Sequence, residues 1–321
     1  MLTGALPLHA KVIKPAEEAE KTVRTDRLRA RIAFLSDTLC QGRATGSTGS
    51  SEAAMWIVRM FRQQGLRPLG GSYVRHFITP TGVTGRNIIG MLPSNSTIPS
   101  ASYVIVMAHY DGLGVLGDRL YPGADSNASG VAAMIQMAEM FSVMRKFRQI
   151  YRKNILFVAL DAKGLNMHGA QDLWNCIESG SLVNPSTGEP IRPDMISSVV
   201  NIEQIGSTLS PIRDTRPDYL IMLGRESMPS FTRDDLAACN LRYGTGLDLG
   251  FDYYGSKDFT RLFYRKVSDQ RFFVEHGIPA VMFTSGITLN NNKTYDTVDT
   301  LDLDILRKRI ILIFHYLERL A

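Results

Sequence analysis

Three runs in this chain, Tyr103–Ala108, Ile155–Leu160 and Tyr219–Leu223, are apolar from end to end. Ser198–Ile202 and Ala280–Thr284 are nearly so. A strand with one wet face alternates polar and apolar residues, whereas a run this continuous must be covered on both faces. Between these runs lie stretches with apolar residues at helical spacing: Ser129–Val143, His168–Ile177, Thr232–Cys239, Gln270–His276 and Leu303–Leu320. Buried strands alternating with helices predict an α/β fold: a mixed, mainly parallel sheet with helices on both faces. Strands are also expected over 73–79 and 87–92. Helices are expected over 17–36 and from Ser50 to the stop at Gly65. No linker or repeat divides the chain. The reading is a tail, 1–16, followed by one domain, 17–321.

Bulk properties remove several function classes. The 321 residues are 44% apolar and 21% charged, an ordinary globular balance. The net charge of +5 owes much to Arg145, Lys146, Arg148, Arg152 and Lys153. These follow a helical stretch and read as cations at its C-terminus. No aromatic-basic motif accompanies them, so no nucleic-acid partner is expected. Three widely spaced cysteines, Cys40, Cys176 and Cys239, make neither a disulfide framework nor a zinc knuckle. No run is long enough for a transmembrane span. Leu2–Ala10 resembles the end of a secretory signal without its basic start, which favours export to the periplasm or the medium.

In open α/β sheets, sites lie beyond the carboxyl ends of the strands. His109, Asp161 and Glu203 stand near such ends. A turn-rich segment, Gly123-Ala-Asp-Ser-Asn-Ala-Ser-Gly130, carries Asp125 just before a helix. Imidazole and carboxylate in that arrangement suit a divalent cation such as zinc. His109 and Asp125 are therefore candidate metal ligands, and Glu203 stands at a further strand end; the three are expected to converge at the carboxyl edge of the sheet.

Five landmarks in order carry a family resemblance: His109-Tyr-Asp111; Gly123–Gly130; Phe157–Ala170; Asn201-Ile-Glu-Gln-Ile-Gly206; and Ser268–Phe283 followed by Asn292-Lys-Thr-Tyr-Asp-Thr297. Together they are similar to the zinc exopeptidases typified by bacterial leucyl aminopeptidase and aminopeptidase Y, relatives of glutaminyl cyclase. The similarity runs from the Gly42–Gly46 loop to the end. It implies a zinc aminopeptidase-like, phosphorylase/hydrolase-like fold and, in active members, peptide-bond hydrolysis at a two-zinc centre. Carried over, His109 matches the first histidine ligand and Asp125 the bridging aspartate. Glu203 stands where the family has aspartate.

The rest of that centre is replaced. The family's base falls on Lys163, a second-metal ligand on Gly164, and the distal histidine on Asn292. Glycine has no side chain to coordinate, and an amide carbonyl is a poor zinc ligand beside imidazole. A protonated lysine cannot take a proton from water. One zinc ion at most is expected, no catalytic residue is assigned, and the chain reads as an impaired or inactive copy. The alternatives are a one-metal hydrolase using His109, Asp125 and Glu203, and a metal-free module that binds a peptide or protein. Lys163 is expected to enter the vacated space and pair with Asp125 or Glu203. Asp161 is read as capping a turn or orienting a ligand, Asp269 as a helix cap, His276 as a helix C-cap and His168 as structural.

Overall fold

The computed structural model describes residues 14–98, 101–208 and 218–321. Its strands are β1 (Arg67–Pro68), β2 (Val74–Ile78), β3 (Thr84–Leu92), β4 (Tyr103–His109), β5 (Gly114–Leu116), β6 (Arg119–Tyr121), β7 (Asn154–Leu160), β8 (Ile196–Ile202), β9 (Tyr219–Leu223), β10 (Asp248–Gly250) and β11 (Ala280–Thr284). Its α-helices are α1 (Pro15–Glu20), α2 (Thr25–Leu35), α3 (Thr48–Gln63), α4 (Ser129–Lys146), α5 (His168–Glu178), α6 (Asp235–Arg242), α7 (Lys257–Arg265), α8 (Arg271–Glu275) and α9 (Leu303–Leu320).

Nine strands make one sheet in the order β1-β3-β7-β4-β8-β11-β9-β10, with β2 also on β3. Its centre, β7-β4-β8-β11, is parallel. Its flanks turn antiparallel where β3 meets β7 and β9 meets β11. The fold is thus mixed α/β: β9 and β10 pair in parallel at one edge, and the central parallel block is made of the strands that carry the site. These are the continuous apolar runs, and all seven residues of β4 and of β7 are buried.

Successive residues of β4 point to opposite faces and feed separate cores. Val104, Val106 and Ala108 pack with α2, α3, α4 and α9, through residues such as Ile32, Phe61, Phe141 and Ile313. Ile105 and Met107 pack under α5 and α8, through Leu173, Trp174, Phe272 and Phe273. Each Val, Leu, Ile, Phe or Met side chain among them contributes about 1.5–3 kcal/mol when fully buried. Phe141 sits at the middle of an aromatic group, edge-on to Tyr151, Phe157 and Phe314.

The single helix expected over 17–36 is two. Thr22 donates its hydroxyl to the Ala19 carbonyl and accepts from Gln136 of α4. A side chain thereby takes over a carbonyl that a continuing helix would use. α1 starts at Pro15, before the boundary placed at Glu17, and buries Ala19 in the main core. Residues 1–13, which carry the signal-like stretch, lie outside the described residues. Among the described residues no helix is long and apolar enough to cross a membrane.

α1 is tied to α9 by a buried histidine. His315 Nε2 lies 2.8 Å from Glu20 Oε1, its Nδ1 lies 2.8 Å from Glu318 Oε2, and its ring stacks on Tyr243. Burial alone would lower the imidazole pKa, but hydrogen bonds to two carboxylates outweigh it and the net direction is upward. A pKa raised by folding stabilises the protein fully below the unfolded value, about 6.5. That stabilisation fades as pH rises through the folded value. The melting temperature should therefore fall more steeply above neutral pH in the wild type than in His315→Gln. Parallel pH profiles for the two proteins would remove His315 from this role.

Candidate functional site

The carboxyl ends of β4, β7 and β8 open into a cleft of about 260 Å³. Its polar lining includes His109, Asp111, Ser126, Lys163, Glu203, Ser268, Asn291 and Asn292. Tyr253, Phe263, Val267, Met282 and Ile287 form an apolar wall. α7, which contributes Phe263, was not expected from the sequence, although Phe259, Leu262 and Phe263 recur at helical spacing behind the Ser256 cap.

His109 is the last residue of β4 and is 7% exposed. Its Nδ1 stands 3.2 Å from the Asp111 carbonyl and 3.5 Å from Asp111 Oδ1. Burial works against the imidazolium, yet the Asp111 carboxylate moves the net direction upward. Glu203 follows the end of β8 and also faces the cleft. Its Oε1 accepts from Lys163 Nζ at 2.6 Å and from Asn201 Nδ2 at 2.9 Å. Its Oε2 is 3.4 Å from Ser268 Oγ. Burial opposes this carboxylate, but the facing ammonium and imidazole carry its pKa below the ordinary range.

Asp125 is not brought to His109 and Glu203. Its Oδ1 accepts from Ser129 Oγ at 2.8 Å and from the Gly206 amide at 2.7 Å. Its Oδ2 accepts from the Ser207 amide at 3.2 Å. The reason is local: Asp296 takes the amides of Asp125 and Ser126, and the chain then leaves helical geometry at Ser126 and Asn127. Adjacent side chains in such backbone point different ways. Ser126 therefore lines the cleft while Asp125 turns towards 205–207. An Asp-Ser dipeptide before a helix does not announce which of the two will face the site.

Lys163 lies in the turn after β7, where Ala162 adopts positive φ. Its ammonium is 2.6 Å from Glu203 and 3.4 Å from Asp269 Oδ2. The pairing expected with Asp125 or Glu203 is thus with Glu203. Asp269 joins it, although the sequence reads as a helix cap. The residue at the start of α8 is Gln270, which makes no side-chain cap, and Asp269 is wholly buried. Gly164 donates its amide to Asp111 Oδ2 at 3.0 Å. Asn292 sits on the cleft wall.

Other candidates fall into structural roles. Asp161 accepts from Thr45 Oγ1, from the amides of Arg86 and Ala162, and from Tyr110 Oη, so it fastens the turn after β7. His276 terminates α8 through the Phe272 carbonyl and stacks on Trp174. His168 meets Gln171 one turn along α5. The three cysteines are buried and free.

A zinc centre does not fit these residues as they stand. Asp125 already accepts three hydrogen bonds elsewhere. Glu203 already holds an ammonium. Among the described residues no three His, Cys, Asp or Glu side chains converge closely enough to hold a metal ion. What remains is a cleft with carboxylates, one ammonium and an imidazole on one side and apolar side chains on the other.

A mixed α/β sheet with its cleft at the carboxyl ends of the parallel strands is the architecture of the zinc aminopeptidases. The structure superposes on the zinc aminopeptidase BSAP from Bacillus subtilis with a TM-score of 0.71 at 13% identity, covering 93% of this chain and 95% of that one. It matches the LapA aminopeptidase of Legionella pneumophila at 0.71 and 16% identity, covering 100% and 78%. It matches Porphyromonas gingivalis glutaminyl cyclase at 0.65 and 15%, covering 94% and 99%. The sequence model of peptidase family M28 matches residues 87–317, and the chain belongs to that family.

Among sequence relatives, the uncharacterised Escherichia coli (strain K12) protein YfbL is 23% identical across 93% of this chain and 85% of its own length. The Homo sapiens BOS complex subunit NCLN is 28% identical over 132 residues, 40% of this chain and 22% of the subunit. The chain thus spans most of the bacterial relative and under a quarter of the human one.

Proposed function

We propose that this protein is a catalytically silent member of peptidase family M28 whose cleft binds a peptide or protein segment without hydrolysing it. The observation that carries the reading is the ammonium of Lys163 held 2.6 Å from Glu203, at the position where the family resemblance places the base. Burial alone would favour the neutral amine, but Asp269 and Glu203 together raise the lysine pKa. A group that keeps its proton this firmly cannot take one from water. Loss of a positioned base costs about 10²–10⁴ in rate, and loss of electrostatic stabilisation of the oxyanion costs about 10²–10³ more.

The apolar wall beside a polar floor suits an extended segment with one buried side chain. That the human relative is by name a subunit of a complex favours binding over turnover. An exported setting, suggested by Leu2–Ala10, is part of the same reading.

The test is release of p-nitroaniline from aminoacyl p-nitroanilides, with zinc and with chelator. The expected rate is at least about 10⁴-fold below that of an active relative. Turnover comparable to such a relative, lost on His109→Ala, would overturn the proposal. It would favour the one-metal hydrolase instead, since His109 and Glu203 do face one cleft.

A further inference from the structure

The geometry points to Lys163 as the resident cation of the cleft: its ammonium takes the electrostatic place of a metal ion and holds together segments that bring carboxylates to its turn. The inference rests on the reading of this cleft as metal-free and goes beyond it, because it assigns Lys163 a task.

Three carboxylates face the turn after β7 from three separate segments. Asp111 follows β4 and is 2% exposed, Glu203 follows β8 and is 8% exposed, and Asp269 precedes α8 and is fully buried. Buried carboxylates repel one another and lose their hydration, so such a group is tolerated when a cation shares the space. Lys163 enters from a fourth segment, the turn after β7, with its side chain 17% exposed. It ion-pairs with two of the three. The third, Asp111, is fixed by the next residue in the same turn, through the Gly164 amide. One turn thus serves all three acids.

Two further features support this assignment. The turn is closed by its own hydrogen bonds, Leu165 and His168 donating to the Ala162 carbonyl and Met167 to the Lys163 carbonyl. The lysine is therefore presented from a fixed base. The floor beneath the pair is also ordered: Asn201 Nδ2 donates both to Glu203 Oε1 and to Gln270 Oε1. Steric space does not exclude a larger residue next door. A Cβ at Gly164 would stand 3.7 Å from Asp111 Oδ2, an ordinary contact. What changes the site is charge. A divalent ion would have to displace an ammonium already seated on Glu203, so the folded protein needs no metal to neutralise its acids.

The experiment is thermal melting of wild type, Lys163→Met, Glu203→Gln and the double variant, each in chelator and in excess zinc. Wild type should melt within about 1 °C in the two conditions, because no metal site is available to shift it. Lys163→Met should melt on the order of 5–10 °C lower, since it leaves buried carboxylates without their cation. Adding Glu203→Gln should recover at least about half of that loss, which a merely space-filling lysine would not produce. If Lys163→Met does not fold, recovery of folded protein in the double variant carries the same meaning. An unchanged melting temperature in Lys163→Met, strictly additive losses in the double variant, or a zinc-dependent rise in wild type would each overturn the assignment. Aminoacyl hydrolysis by a wild type that melts as expected would sink the proposed silence and leave the lysine's role standing.

Discussion

Replacing Arg43 with methionine is expected to destabilise the protein by about 3–5 kcal/mol, the range in which a buried polar network is broken and not merely trimmed. Arg43 is 0% exposed, yet among the described residues no carboxylate is hydrogen-bonded to its guanidinium. It donates to four backbone carbonyls instead. Nε reaches Tyr110 at 2.7 Å, Nη1 reaches Leu35 and, at 2.7 Å, Pro122, and Nη2 reaches Gly123 at 2.8 Å. These carbonyls belong to the end of α2, to the link between His109 and Asp111, and to the entry of the Asp125–Ser126 turn. One side chain therefore joins acceptors from three segments, two of which lead into the cleft. Methionine fills much of the volume but leaves all four carbonyls without that donor. Lysine keeps the charge but not the planar fork, so Arg43→Lys should also lose stability, by a smaller amount. Urea unfolding gives the answer directly. A loss under about 1 kcal/mol for Arg43→Met would mean that water replaces the guanidinium without penalty.

The same residue shows how far the sequence could be read. The loop Gly42–Gly46 is visible as a glycine-rich break. Nothing in its composition says that Arg43 folds inward, because an arginine between glycines ordinarily reads as solvated. The central strands were legible because burial on both faces leaves a continuous apolar run, a pattern that surface elements do not make. The hairpin of β5 and β6, and helix α7, escaped for the converse reason. The hairpin strands are three residues each and leave no pattern, whereas α7 does repeat Phe259, Leu262 and Phe263 at helical spacing but keeps much of that face exposed, so no buried core flags it. In the cleft, His109 and Glu203 were legible from position alone, as the ends of buried strands. Ser126, Asp111 and Asp269 were not. Their direction depends on non-helical backbone at Ser126, on a bend after β4, and on the side chain that meets Asp269 from 106 residues away. A motif fixes which residues are near one another along the chain. It does not fix which of two neighbours turns inward.

Asp125 carries that distinction into an experiment. Asp125→Ala is expected to cost about 2–4 kcal/mol, equally in chelator and in zinc. Its carboxylate accepts from Ser129 Oγ and from the amides of Gly206 and Ser207. Removing it strands two buried amide donors, each costing about 1–3 kcal/mol if left unpaired. The loop it grips is held from the other side by Arg309, fully buried, which donates to the carbonyls of Ile205, Ser207 and Tyr219. Acid and base thus clamp 205–207 between the start of α4 and α9, just after Glu203 leaves β8. Asp125→Asn keeps an oxygen for one amide but brings an NH₂ towards the other, so its loss should fall between wild type and alanine. Were Asp125 a metal ligand instead, wild type and Asp125→Ala would unfold alike in chelator and diverge when zinc is added. The chelator arm separates the two accounts, because there a hydrogen-bonded clamp still loses its donors' partner and an unfilled metal site has nothing to lose.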